Sequence, residues 1–258
     1  FAGSPRNRIH NIRVGASKYH GLLIPPGAEF SFNTNLGPVD KENGFLPELV
    51  ILANVTTPQY GGGLCQVSTT MFRSAVHAGL PITARKNHAY AVSYYGVPGF
   101  DATIYPPNPN LRFVNDTPGH LLIQMKLEAT KLAFEFWGTP DGRAVEVLGP
   151  YPYARQKSGA VKATLVRKIT RAGETTRDEW QSNYKSPALF PKVLAANAET
   201  ETWDVRVARI AEKDRRAQEV FERNKAELAK QVKEKTSAPR PTPTPTPAPT
   251  PAPIPTSE

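Results

Sequence analysis

The sequence predicts a mixed α+β fold in which an antiparallel β-sheet packs around a central helix that carries a cysteine at its N-terminus, followed by a C-terminal helix and a disordered tail. Three observations support this. An apolar stripe of helical spacing, Val67, Met71, Phe72, Ala75 and Val76, follows directly on Gly61-Gly62-Gly63 and the sole cysteine, Cys65. Alternating segments at 121–127 and 131–137 are bridged by Glu128-Ala129-Thr130, the pattern of an antiparallel hairpin. Residues 199–235 are rich in Ala, Glu, Lys and Arg and favour helix by propensity, then give way to Pro-Thr and Pro-Ala repeats.

Taken in order, Asn11, Ile12, Ala16 and Tyr19 fall near helical spacing, and Gly21 is placed to cap that basic opening segment. Phe30-Ser31-Phe32-Asn33 alternates like a strand. Residues 45–55 carry an apolar stretch that ends before a loop, Thr56-Thr57-Pro58-Gln59-Tyr60. The best helix of the core runs from Gln66 to Ala78 and ends at Gly79. Ile82 to Ile104 predicts short strands with turns, and 111–114 a further strand. Val145 to Leu148 and Ala163 to Thr170 are strand candidates, with Asn183-Tyr184-Lys185-Ser186-Pro187 an ordered exit. These elements group as a core over 1–140, a β-rich extension over 141–198, a charged helix over 199–236 and a Pro/Thr-rich disordered tail over 237–258. The tail has the composition of a semi-rigid polyproline spacer.

A chain of 258 residues is long enough for a sizeable core. Its net charge of +9 is spread along the sequence, and no dense Lys/Arg block interleaves with aromatics. That pattern argues against nucleic acid and suits encounter with an acidic polymer or surface. No apolar run approaches the roughly 20 residues of a transmembrane segment. A sequence opening on Phe1 is expected to be a processed or cut product, with any leader or anchor outside it. Oligomeric state is not legible here.

One cysteine permits no internal disulfide. At the start of a helix, backbone N–H groups and the dipole favour thiolate, and glycines allow close approach of a substrate. The alternative is a small buried hydrophobe, the commonest use of a free cysteine. A nucleophilic thiol needs a base, an orienting group and oxyanion donors. Of five histidines, His10, His20 and His120 sit in the basic opening, near a helix end and in a Pro-Gly turn. His77 is twelve residues on in the same helix as Cys65, about 18 Å along the axis. His88 is the remaining candidate base. Asp101 is placed to orient it across a hairpin, with a turn-capping aspartate as the alternative. The backbone N–H groups of Cys65 and Gln66, with the Gln66 amide, are candidates for the oxyanion hole. No zinc-type ligand spacing is present, and no Gly-Lys-Ser/Thr follows the glycines, so neither a metal nor a cofactor is expected.

Several ordered motifs then meet a family pattern. Phe1-Ala2-Gly3-Ser4, Arg8, Asn11, Pro26-Gly27, Phe30-Ser31-Phe32-Asn33 and Gly37-Pro38 come first. Gly61-Gly62-Gly63-Leu64-Cys65-Gln66-Val67-Ser68-Thr69-Thr70 is the most specific. Ala78-Gly79-Leu80, Arg85, His88, Gly99-Phe100-Asp101-Ala102, Leu111-Arg112-Phe113-Val114-Asn115 and Trp137-Gly138 continue it. Over roughly residues 1–138 the chain resembles the VanW family. The resemblance implies an extracytoplasmic protein of the bacterial envelope, secreted or anchored. Some members are regarded as noncanonical L,D-transpeptidases, cysteine acyltransferases that form 3–3 cross-links in peptidoglycan. For this chain it implies Cys65 as nucleophile, His88 as base and peptidoglycan stem peptides as partners. Gly62 and Gly63 would line the substrate site with Gln66, and Tyr60, Tyr94 and Arg85 would wall it, Arg85 facing a stem carboxylate. The competing readings are a non-catalytic wall-binding module and an accessory protein of glycopeptide resistance.

Overall fold

The computed structural model describes residues 1–52, 55–191 and 215. Helix α1 (Arg6–Ser17) leads into β1 (Leu22–Ile24), β2 (Glu29–Ser31), the short α2 (Phe32–Leu36), β3 (Pro47–Leu52) and β4 (Val55–Tyr60). Helix α3 (Leu64–His77) follows, then β5 (Ile82–Ala84), a 3₁₀ turn (Ser93–Tyr95) and β6 (Arg112–Val114). The remaining strands are β7 (Leu121–Glu128), β8 (Lys131–Trp137), β9 (Ala144–Tyr153), β10 (Val161–Arg171) and β11 (Glu174–Tyr184). The class is α+β. The single expected sheet is divided into four small ones, ordered β1-β7-β8, β2-β6-β5, β3-β4 and β11-β10-β9, each antiparallel. Among the described residues no helix is long and apolar enough to cross a membrane.

Helix α3 forms where the sequence stripe predicts. Leu64, Val67, Met71, Phe72, Ala75 and Val76 are all buried in the main core. The helix ends in a Schellman closure: Leu80 N–H donates to Ala75 and Gly79 N–H to Val76, with Gly79 at φ 71°. Arg167 of β10 reaches across to the same end and donates to the carbonyls of Val76 at 3.2 Å and Leu80 at 2.9 Å. A cation there complements the negative end of the helix. Asp178 of β11 neutralises it at 2.6 Å. The extension expected over 141–198, described through residue 191, thus docks on α3, and its Leu165 belongs to the same core as Phe72.

The glycine loop before α3 is fixed from the opposite side by Asn11 of α1. Its amide donates to the carbonyls of Leu46 and Gly62 at 2.9 and 3.0 Å, and its oxygen accepts from Leu46 N–H at 2.8 Å. A side chain at Gly62 would come within 2.8 Å of the Glu48 backbone, so the loop lies flat against β3.

Several sequence expectations require correction. Phe30-Ser31-Phe32-Asn33 is not one strand, because α2 begins at Phe32, and Gly21 does not cap α1, which ends at Ser17 with Lys18 as its C-cap. Thr56-Thr57-Pro58-Gln59-Tyr60 is not a loop but most of β4, paired with β3 from Pro47↔Tyr60 to Leu52↔Val55. Between Ile82 and Ile104 only β5 is a strand, and the rest is irregular backbone around the 3₁₀ turn. Residues 174–184, read only as an exit at their end, form the eleven-residue strand β11. The helix expected over 199–236, apart from Arg215, and the tail over 237–258 lie outside the described residues.

Candidate active site

Cys65 is the second residue of α3 and is half-buried. The thiol lies 3.4 Å from the Thr103 hydroxyl and 3.5 Å from the Ile104 carbonyl. It is also coupled electrostatically to His88, which is 4 % exposed. The other face of that imidazole is fixed: Nδ1 meets Asp101 Oδ2 at 2.5 Å, and the same carboxylate oxygen accepts the His88 backbone N–H at 2.9 Å. Because Asp101 occupies Nδ1, Nε2 is the nitrogen left for the sulfur. The Tyr95 ring stacks on the imidazole with centroids 4.6 Å apart.

Helix α3 and the Asp101 segment are pinned together by hydroxyls of the helix itself. Ser68 and Thr69 Oγ donate to the Ala102 carbonyl at 2.5 and 3.2 Å, and Thr69 accepts the Ala102 N–H at 3.1 Å. This accounts for Ser68-Thr69 and Gly99-Phe100-Asp101-Ala102 as one unit: the first pair holds the second beside the cysteine. Thr103 N–H donates to Lys86 at 2.8 Å, which brings the His88 segment alongside.

Asp101 is 3 % exposed and heavily coordinated. Besides His88, its carboxylate accepts from Arg85 Nη2 at 3.2 Å and from the Tyr184 hydroxyl of β11. Tyr184 also accepts the Gly99 N–H at 2.8 Å. Burial alone would raise the Asp101 pKa, but the hydrogen bond and charge of His88, the charge of Arg85 and the Tyr184 hydroxyl drive it down to about 2. Burial disfavours a charged His88, yet its bonds to Asp101 and Cys65 hold the proton up to about 9. Burial pushes the Cys65 thiol up, and the His88 hydrogen bond and charge with the Thr103 hydroxyl pull it below its usual range. All three shifts favour the charged forms: thiolate, imidazolium and carboxylate.

The structure therefore brings Cys65, His88 and Asp101 together. Gly62 and Gly63 form the loop that leads to the thiol, with Gly63 at φ 113° as the N-cap. Two of the remaining expectations change. Arg85 does not wall a cleft: it is buried behind Asp101, its Nε donating to the Asp101 carbonyl at 2.6 Å and Nη1 to Ser182 Oγ at 2.8 Å. A guanidinium engaged in this way has no face left for a substrate carboxylate. Gln66 is engaged as well, its N–H donating to Gly63 at 2.9 Å and its amide oxygen accepting from Arg8 at 3.1 Å. Its backbone N–H is therefore not a ready oxyanion donor. Tyr94 is exposed and covers Arg8, whereas the contacts of Tyr60 run to the main core. Sequence reasoning passed over Thr103, Tyr95, Ser182 and Tyr184. Only the alternation of Trp180, Ser182 and Tyr184 hinted that the last two face inward.

Two curated relatives are similar to this chain. Uncharacterized protein YoaR of Bacillus subtilis (strain 168) is 35 % identical over 126 residues, covering 49 % of this chain and 41 % of that protein. Vancomycin B-type resistance protein VanW of Enterococcus faecalis (strain ATCC 700802 / V583) is 28 % identical over 171 residues, covering 63 % of this chain and 62 % of that protein. The chain thus spans less than two thirds of the length of either. No solved structure matches it. The family model described as VanW like protein matches residues 7–137, a stretch that holds the glycine loop, Cys65, His88 and Asp101, and the chain belongs to that family.

Proposed function

We propose that this protein is a cysteine acyltransferase of the bacterial cell envelope, an L,D-transpeptidase acting on peptidoglycan stem peptides. The observation that carries the reading is the series Cys65–His88–Asp101, in which the thiol is coupled to an imidazole hydrogen-bonded to a carboxylate that Arg85 and Tyr184 hold. Membership of the VanW family and the vancomycin-resistance name of the Enterococcus relative support peptidoglycan as the substrate. The net charge of +9 favours encounter with an anionic wall.

The Cys65 thiolate attacks the carbonyl of the third stem residue, forming an S–C bond. His88 gives its proton to the departing nitrogen as the C–N bond breaks and D-alanine leaves. The side-chain amine of a second stem then attacks the thioester, forming a C–N bond and breaking C–S, while His88 takes the amine proton. Water in place of that amine gives hydrolysis from the same intermediate. Leu64 and Gln66 donate their N–H groups to Gly61 and Gly63, so we assign the Cys65 N–H, at the positive start of α3, to the oxyanion. Asp101 keeps the imidazole oriented and charged.

Intact-mass measurement after incubation with a disaccharide tetrapeptide tests this. The expected adduct equals the substrate less one D-alanine, and Cys65→Ala abolishes it. A Cys65→Ala protein that still cross-links muropeptides overturns the acyl-enzyme and leaves the non-catalytic wall-binding alternative.

A further inference from the structure

Among the described residues Arg8 is a buried cation without an anion. It is the third residue of α1, 7 % exposed, in a first turn that holds no acidic residue. A positive charge at that end opposes the helix dipole, so helix stability does not explain it. Its partners are neutral: Nη1 donates to Ser4 Oγ at 2.7 Å, Nη2 to Gln66 Oε1 at 3.1 Å, and the guanidinium lies 3.9 Å over the Tyr94 ring. The Arg85, Arg143 and Arg167 side chains are as withdrawn from water, and each faces an aspartate. Among the described residues no carboxylate lies within ion-pair distance of Arg8. Withdrawing a guanidinium from water with only neutral partners is costly, and an anion supplied by a ligand removes that cost.

The position of this charge relative to the nucleophile identifies the ligand. A Cβ on Gly63 would stand 3.0 Å from Arg8 Cγ and 3.1 Å from its carbonyl oxygen, so bare backbone lets Arg8 lie against the loop that delivers Cys65. Gln66, the residue after the cysteine, holds the guanidinium by its amide oxygen. Tyr94 covers Arg8 while its neighbour Tyr95 stacks on His88, so one dipeptide links the cation to the base. His88 protonates the departing nitrogen, and the leaving residue therefore lies along this wall.

We propose that Arg8 is a substrate-binding residue whose guanidinium takes the C-terminal carboxylate of the residue that leaves. The inference rests on the acyl-transfer reading above and gives it a selectivity. Stems with a single residue beyond the attacked carbonyl place their carboxylate at Arg8, and each further residue displaces it by about 3.5 Å.

Two tetrapeptide stems test the subsite, one ending in the free acid and one in the C-terminal carboxamide. Release of the last residue and adduct formation on Cys65 are followed for wild type, Arg8→Gln and Arg8→Lys, with thermal unfolding as the check on folding. Wild-type kcat/KM is expected to favour the acid by roughly 10- to 100-fold, the scale of a charge-assisted pair. Arg8→Gln brings that ratio close to one, and Arg8→Lys retains part of it. Equal wild-type rates on the two peptides, or an undiminished acid preference in Arg8→Gln, overturn the subsite and leave the acyl-enzyme standing. If Arg8→Gln does not fold, the wild-type and Arg8→Lys ratios decide. A wild-type protein that forms no adduct with either peptide removes both proposals.

Discussion

At Cys65 burial and a neighbouring imidazolium act in opposite directions, and the imidazolium prevails. The sign of the pH dependence follows from the two shifts. Thiolate appears above a Cys65 pKa that lies below the usual 9.0, and His88 keeps its proton until about 9. Alkylation of Cys65 by iodoacetamide should therefore rise at a lower pH than for an ordinary thiol and change again near pH 9 as the imidazolium is lost. His88→Asn should leave a single rise displaced to higher pH, because burial then acts without the imidazolium, and rate–pH profiles of the two proteins check this. The candidate triad was legible because each member stands in a short motif whose chemistry is local: a glycine run before a thiol, a histidine after a helix, an aspartate in a turn. Arg85 was misplaced because a sequence does not say which acid an arginine meets. Arg8 was noted only as part of a family pattern, since its lack of an acidic partner becomes visible only after folding.

Among the elements, α3 was readable from its stripe and its terminal Gly79, features set within a few residues. Strand β4 was not, because Thr57-Pro58-Gln59 has the composition of a turn and its pairing with β3 overrides that local preference. Strand β11 was missed for a related reason. It is an edge strand whose inward positions include Asp178 and Ser182 beside Trp180 and Tyr184, so its alternation is not one of hydrophobicity. The glycine loop is tightly constrained. Gly62→Ala would set a Cβ 2.8 Å from the Glu48 carbonyl carbon and oxygen, backbone atoms of β3 that cannot rotate aside. We expect a loss of about 1–3 kcal/mol in urea unfolding, the scale of overpacking, and slower Cys65 alkylation as the loop is displaced.

Across the whole molecule, the family match ends at residue 137 but the bonding around Asp101 does not. Ser182 and Tyr184, both on β11, hold Arg85 and Asp101, and Arg167 fastens their sheet to the far end of α3. Tyr184→Phe leaves a buried carboxylate short of a donor and the Gly99 N–H short of an acceptor. Urea unfolding should show a loss of about 1–3 kcal/mol, against less than about 0.5 kcal/mol for Tyr153→Phe, whose hydroxyl bonds Gln181 in the exposed part of the same sheet. Asp101 and Tyr184 are separated by 83 positions in the chain. Because a ribosome delivers residues from the amino end, the sulfur emerges long before the phenol that completes its surroundings. Ripening of the nucleophile is thereby tied to arrival of the β10–β11 hairpin, and a nascent polypeptide cut short of that point carries a thiol whose partners are not yet fastened.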